Sequence, residues 1–501
     1  LQIIVNYSKN NHKTMIKKIA LSGFVLFFGL MLGRILGLVR DIYLASKFGT
    51  SIESDILIII LTVPDAIFSL IASGAISASL IPEFKKLSRE DGVSLLLISS
   101  LLFFIFSILI ILTLNSQDGL LVKIFSPGIS LKYSPLLQEY LSKVNWLIPL
   151  TILAGVSTAF LHSKDKFFIS SIGSAIINIF ILIGLFLTAK NIQNLNILIA
   201  FILIGGSIRW ISQLWIIRKD LLLIGKIKLQ LINKYIFHRY FYAVLSGGLL
   251  ILYPVVARSF ASFSDEGSIS IVNYSLKLVE VPANVAVTVL SIVILPKLSQ
   301  MLIENKRDKF REIIQFNLFW SLAVSSAIAG AVIAQSNIFI ESIFGLSGTI
   351  TEQNIEIMSA LLMIGILSLP FQALIAVSTS IFHSEKNTKT PMIINISGFT
   401  LLILLNLINV HDTNVYKIVS FVLISYAITG LIFIIKIERK HNIVNMKFIT
   451  LAMSAGGFSY VASILLSYAN LSLYMNLILL ISIVLIVLSI FVSITKKYFV
   501  Y

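Results

Sequence analysis

Apolar stretches of about 20 residues recur along the whole chain, and no other feature limits the fold as strongly. Fourteen can be marked, at residues 19–39, 55–80, 93–114, 144–161, 167–188, 196–217, 241–260, 268–295, 314–334, 356–381, 391–409, 416–435, 448–468 and 473–494. A helix needs roughly 20 such residues to cross the hydrocarbon core, and fourteen of them use about 290 residues. Only 12% of the 501 residues are charged, against roughly 25% in an average soluble protein, and 57% are hydrophobic. A soluble globular enzyme and a disordered chain are both excluded. The prediction is an all-α polytopic membrane protein with 14 transmembrane helices.

The charges between the stretches orient them. Lys and Arg number 39 against 23 Asp and Glu, a net +16 that in a soluble protein would suggest nucleic acid. Here the excess is concentrated in the even-numbered connections. These hold Lys85, Lys86 and Arg89, then Lys164 and Lys166, then Arg218, Lys219, Lys226, Lys228, Lys234 and Arg239. They continue with Lys297, Lys306, Arg307, Lys309 and Arg311, then Lys386 and Lys389, then Lys436, Arg439, Lys440 and Lys447. Odd-numbered connections hold little beyond Lys47, Lys123, Lys132 and Lys190, with acids such as Asp265, Glu266, Glu341 and Glu352. By the positive-inside rule the even connections and both termini are cytoplasmic, and no nucleic-acid partner is expected.

The chain start, Leu1–Thr14, is polar and is followed by Met15. It reads as an upstream extension of the frame or a polar cytoplasmic tail. Lys17 and Lys18 precede an apolar run reaching Val39 with no small-residue cleavage site, so an uncleaved first span is expected rather than a signal peptide. No cysteine is present, which removes disulfides, thiolate metal sites and a cysteine nucleophile. The histidines, His12, His162, His238, His383, His411 and His441, are scattered, and no HExxH, P-loop or nucleophile elbow occurs. The longest polar connections reach only about 25 residues, too short for a soluble catalytic domain. The chain is expected to be a transporter and not an enzyme, without a cofactor or metal. It lacks an ATP-binding module, so energy would come from ion coupling, the membrane potential or substrate flow.

An internal repeat is visible. Val39-Arg40 and Ala257-Arg258 are each followed, 24 residues after the Arg, by a Val-Pro pair ending at Pro64 or Pro282, an offset of 218. Each leads to a second proline, at Ile81-Pro82 and Leu295-Pro296. Phe160-Leu161-His162-Ser163 and Ile381-Phe382-His383-Ser384 match at an offset of 221. Two parallel six-helix lobes plus two C-terminal helices follow, an arrangement that in transporters handles substrate at the repeat interface. The expected organisation is a cytoplasmic tail at 1–18, an N-lobe at 19–225, a C-lobe at 226–440, and the last two spans with the C-terminal tail at 441–501. Pro64, Pro282 and Pro370 lie within apolar runs, where they would bend helices, either to gate a cavity or to shape packing.

Charged side chains at membrane depth are costly and are site candidates by default. The first span reads Gly33-Arg34-Ile35-Leu36-Gly37-Leu38-Val39-Arg40-Asp41. Gly29, Gly33 and Gly37 form a ladder suited to close helix packing. Arg34 and Arg40 are six residues apart, about 120° around an ideal helix, so long side chains or a bend must bring them to one cavity. Arg40 could instead snorkel to the interface. Asp55 opens the second span, as an interfacial cap or a cavity acid. Lys277 and Glu280, three apart in the eighth span, form either a structural ion pair or a cavity pair that exchanges partners. Asp41, Arg209 and Arg258 are secondary candidates. The net positive sign suits an anionic substrate, and arginine is matched to phosphate oxygens by its planar fork.

Taken with Lys47-Phe48-Gly49, Ser54-Asp55, Val63-Pro64, Gly74-Ala75 and Ile81-Pro82, the first-span motif resembles the opening signature of the MurJ/MviN lipid II flippases. That family lies within the wider group of multidrug and polysaccharide-lipid exporters. Ser126-Pro127-Gly128, Lys277-Leu278-Val279-Glu280-Val281-Pro282, Leu295-Pro296 and Lys389-Thr390-Pro391 are similar to later family motifs.

The resemblance implies alternating access by two lobes, and a lipid-accessible groove formed by the last two helices. The implied cargo is the undecaprenyl-pyrophosphate-linked peptidoglycan precursor, moved from the inner to the outer leaflet of a bacterial cytoplasmic membrane for cell-wall synthesis. It also implies essential cavity arginines at Arg34 and Arg40, an acidic position at Asp55, and a basic one at Lys277 where the family has Arg. Two departures stand out. After Val63-Pro64 the family has basic residues and then a Glu, where this chain has Phe68, Ser69 and Ser73. Some members bind sodium through carboxylate and amide groups in the second lobe, where spans seven, eleven and twelve offer Asn395 and Asn406 but no carboxylate.

The expected substrate is lipid II or a related undecaprenyl-pyrophosphate-linked glycan, bound by Arg34, Arg40 and Lys277, with Glu280 and Asp55 holding or releasing those bases. Membrane lipids and the cell-wall synthesis machinery are the expected partners, and the chain is expected to act as a monomer. Competing readings are a flippase for another lipid-linked oligosaccharide of O-antigen type, an ion-coupled drug exporter, and a non-transporting scaffold. A drug exporter would call for an acidic, aromatic cavity, opposite in sign to these residues.

Overall fold

The computed structural model describes residues 25–26, 28–72, 75–117, 119–188, 194–223, 225, 227–231, 234–442, 446–467 and 473–495. Residues 1–24 lie outside that set, and so do Ser73 and the side chains of Phe68 and Ser69. Every regular element among the described residues is helical. Among the described residues eight helices are long and apolar enough to cross a membrane, and Gly173–Leu187, Leu249–Ala261 and Ile481–Val492 are shorter apolar helices. A membrane enforces this choice, because lipid offers no partner for an unpaired backbone amide. Large apolar side chains such as Leu101, Phe106, Leu109, Trp215 and Leu485 are exposed, as suits helices whose outer faces meet lipid rather than water.

The principal helices are α1 (28–48), α2 (Ile52–Ala72), α3 (Ala75–Lys86), α4 (Arg89–Ser116), α5 (Leu147–Ser163), α6 (Gly173–Leu187) and α7 (Asn196–Leu221). They continue with α8 (Tyr253–Ala261), α9 (Ser268–Ile303), α10 (Arg307–Ala334), α11 (Glu352–Ile366) and α12 (Leu369–Ser384). The last four are α13 (Lys389–Ile408), α14 (Val415–His441), α15 (Met446–Ser467) and α16 (Leu473–Thr495). Of the three prolines in apolar runs, Pro64 and Pro282 lie inside continuous helices, whereas Pro370 stands in the first turn of α12, where the tenth span breaks between α11 and α12.

The chain forms two compact units. One comprises Leu1–Leu44, Ile60–Leu121 and Leu131–Val244. Its core joins α3, α4, α5 and α7 through Ile76, Leu80, Val93, Ile148, Val156 and Ile217. Phe84 meets Phe160 edge to face, ring centroids 5.2 Å apart. The other unit comprises Ala45–Ile59, Val122–Ser130 and Leu245–Tyr501, so it takes two segments from the first half of the sequence. Here α10 packs along α15. At their crossing a Cβ on Gly330 would lie 2.0 Å from the Gly456 carbonyl oxygen, a contact open only to glycine.

The repeat is visible in backbone detail. Asp165 and Lys386, 221 residues apart, both take positive φ, 56° and 59°. The amides after them, of Lys166 and Asn387, bond back to Leu161 O and Phe382 O. Both turns are then tied to the final helix of their half by ions of reversed polarity. Lys164 Nζ lies 2.5 Å from Asp220, whereas Glu385 lies 2.6 Å from Lys440 Nζ and 3.0 Å from His441 Nε2.

Candidate functional site

The glycine ladder of α1 is a packing face. Cβ atoms built on Gly29 and Gly33 would lie 2.1 Å from Ser171 Oγ and 1.9 Å from Ser174 Oγ, and one on Gly37 would lie 3.5 Å from Asn178 Nδ2. The ladder therefore meets a second row of small and polar residues running into α6. With that face buried, Arg34 is left on the exposed side of α1.

Arg40 is held inside the first unit. Its Nε and Nη2 donate to Asp41 Oδ1 at 2.9 and 2.8 Å, and its Nη1 donates to Asn178 Oδ1 at 3.2 Å. The side chains of Arg40 and Asp41 are only 12% and 4% exposed. Asn178 Nδ2 donates in turn to Gly33 O at 3.1 Å and to Ser174 O at 3.0 Å. Asn178 carries no charge, so the pattern of charges in the sequence does not point to it. The available signal was an amide inside an otherwise apolar stretch. Arg209, on α7, packs against Gly173, where a Cβ would lie 2.8 Å from its Nε.

The remaining candidates lie in the second unit. Asp55 is 2% exposed, and its carboxylate accepts from the Gly267 amide at 2.8 Å and the Ser270 amide at 2.7 Å. These amides open α9, so Asp55 caps a helix from another part of the chain and places its charge at the positive end of that helix. Its neighbour Ser54 meets Tyr274 at 2.6 Å, Oγ to OH. Gly267 has φ +88°, and a Cβ there would lie 2.3 Å from Thr50 O. Gly49, with φ +62°, stands likewise against Thr349 O. Asn354 Nδ2 donates to Thr50 Oγ1 at 2.7 Å and Thr349 Oγ1 to Ala45 O at 2.9 Å. Three odd-numbered connections are knotted together here.

Lys277 and Glu280 pair on α9, Nζ to Oε2 3.3 Å, with both side chains partly exposed. Arg258 donates through Nε to Pro254 O at 3.1 Å and through Nη1 to Asn273 Oδ1 at 2.8 Å. The structure thus joins Arg40 to Asp41 and Lys277 to Glu280, and directs Asp55 to backbone amides.

Two aromatic rings and a glycine bring α8, α13 and α14 together. Tyr253 on α8 stacks on Tyr426 of α14, centroids 4.3 Å apart. A Cβ on Gly398 of α13 would meet Thr429 Oγ1 at 2.0 Å and the Tyr253 hydroxyl at 2.7 Å. Beside these phenols and hydroxyls, the amides of Asn395 and Asn406 are buried on α13.

The family model described as "Lipid II flippase MurJ" matches residues 44–496. A relative from Aquifex aeolicus, described as "Probable lipid II flippase MurJ", is 27% identical over 371 residues, covering 72% of each chain. One from Bdellovibrio bacteriovorus with the same description is 25% identical over 401 residues, covering 75% of this chain and 74% of the relative. The solved structure "Lipid II flippase MurJ, inward closed conformation" superposes with TM-score 0.78 at 25% identity, covering 96% of this chain and all of the other. An inward-facing multidrug MATE transporter superposes with TM-score 0.70 at 11% identity, covering 84% of this chain and 98% of the other, a likeness of fold alone.

Proposed function

The chain belongs to the MurJ family of lipid II flippases, and on that premise we propose how its residues serve the transport. It is a membrane transporter and not an enzyme, and its substrate is lipid II. The precursor moves from the inner to the outer leaflet of the cytoplasmic membrane by alternating access. Both termini are cytoplasmic, a reading supported by the basic even-numbered connections. Arg34 meets the diphosphate of the cargo directly. Arg40 and Lys277 take part by exchanging their carboxylate partners, Asp41 and Glu280, for it. Asp55 holds the start of α9.

The observation that carries this reading is Arg34, a cation among the apolar side chains of Phe28, Leu30, Ile35 and Val39 on the exposed side of α1, a helix whose opposite face is locked by its glycines. A charge at membrane depth marks a site by default, and a guanidinium presents two parallel donors to a phosphate.

Complementation tests the reading. The chain, expressed from Met15, is placed in a bacterium depleted of its own lipid II flippase, with membrane insertion checked by blot. Rescue is expected, with loss in Arg34→Ala and partial retention in Arg34→Lys. Full rescue by Arg34→Ala at equal insertion would remove Arg34 from the site.

A further inference from the structure

We propose that Asn178 is a positioning residue that sets how Arg40 is presented to the cargo's diphosphate. The inference rests on the reading that Arg40 serves the anionic head group. Arg34 and Arg40 stand about 120° apart around α1, so the helix alone does not aim them together. Asn178 spans that gap from the neighbouring helix. Its Nδ2 takes the carbonyl of Gly33, the residue before Arg34, and its Oδ1 takes Nη1 of Arg40. One amide thus ties together the two turns of α1 that carry the arginines.

The division of the guanidinium gives the amide its role. The Nε and Nη2 edge, which offers two parallel donors, faces Asp41. That edge suits a phosphate, and an incoming diphosphate competes with Asp41 for it. The remaining nitrogen, Nη1, is held by a neutral acceptor that adds no charge for the ligand to displace. Asn178 therefore fixes one end of the fork while the other exchanges partners. A carboxylate at 178 would hold the fork more tightly and oppose the ligand. An apolar side chain would let it turn.

The full chain is purified, and its affinity for undecaprenyl diphosphate is measured beside its thermal stability. Asn178→Ala is expected to weaken the probe by about tenfold, and by less than about twofold in an Arg40→Ala background, because a positioning residue has nothing left to position. Equal losses in both backgrounds, or none in the first, overturn the inference. The near-isosteric Asn178→Asp keeps the acceptor for Arg40 Nη1 but gives up the Nδ2 bonds to Gly33 O and Ser174 O, so its melting temperature is read beside those of the wild type and the alanine variant. This variant is expected to bind the probe more weakly, and wild-type affinity there also overturns the inference. If Arg40→Ala itself binds like the wild type, the head-group reading of Arg40 fails and this one with it. If Arg40→Ala binds weakly but both Asn178 variants bind normally, only this inference fails.

Discussion

Asp55 and Asn273 stand 218 residues apart, the period of the repeat, yet they hold opposite kinds of partner. Asp55 accepts from the backbone amides of Gly267 and Ser270, while Asn273 accepts from the guanidinium of Arg258. Arg258 is itself the repeat equivalent of Arg40. One half of the repeat uses this position to begin a helix, and the other uses it to hold an arginine. The helix that Asp55 caps is the one that carries Asn273.

The cap can be weighed by substitution. Asp55→Ala leaves two amides at the start of α9 without their acceptor and is expected to cost about 1–2 kcal/mol. Asp55→Asn keeps one acceptor oxygen and costs less. Thermal unfolding of the detergent-solubilised chain checks the order wild type, Asn, Ala, and an alanine variant as stable as the wild type contradicts the cap.

The glycine ladder predicts a repairable clash. A Cβ on Gly33 would sit 1.9 Å from Ser174 Oγ, so Gly33→Ala is expected to destabilise by about 1–3 kcal/mol through overpacking. Ser174→Gly removes the hydroxyl and should recover part of that loss in the double variant. Melting temperatures of the two singles and the double decide it, and strict additivity would argue against the contact.

Lys277 and Glu280 can be separated by exchange. Lys277→Glu with Glu280→Lys rebuilds an ion pair three residues apart with its sign order reversed. A purely structural pair would regain transport in the double variant. The proposed head-group role predicts that it does not, while Lys277→Arg stays active. The readout is complementation at matched membrane levels.

The Glu385 cluster predicts a pH dependence. Burial pushes its carboxyl up, but the contacts from His441 and Lys440 outweigh burial and hold it below the ordinary glutamate value. A depressed carboxylate contributes fully above its unfolded value, about 4.3, and loses that contribution as pH falls through its folded value. Glu385→Gln is therefore expected to melt lower than the wild type at neutral pH, by an amount worth about 1–3 kcal/mol. The gap should close on acidification below about pH 4. A gap that widened there would reverse the sign.

Much of the fold could be read from the sequence because a bilayer permits so few backbone arrangements. The Lys277–Glu280 pair was also legible, since spacing along one helix fixes which side chains meet. The ladder of Gly29, Gly33 and Gly37 announced a close neighbour without naming it. Ser171, Ser174 and Asn178 come from more than a hundred residues away, and no local pattern connects the two rows. Asp55 was ambiguous for the same reason, because the amides it caps are 212 and 215 residues downstream. Asn178 and Asn273 carry no charge, so neither stands out in a search for intramembrane ions. The repeat offset from Asp55 would have pointed to Asn273, and nothing comparable points to Asn178.

The reversed polarity of the two repeat turns has a consequence for synthesis. Lys164 finds its acid at Asp220, while the equivalent Glu385 finds its bases at Lys440 and His441. Each turn leaves the ribosome more than fifty residues ahead of the helix end that it must meet. Identical turns from a doubled ancestor would have had two equal destinations. With the signs inverted, transplanting the first turn into the second half would set Lys164 against Lys440, so each turn carries an address that only its own half can read.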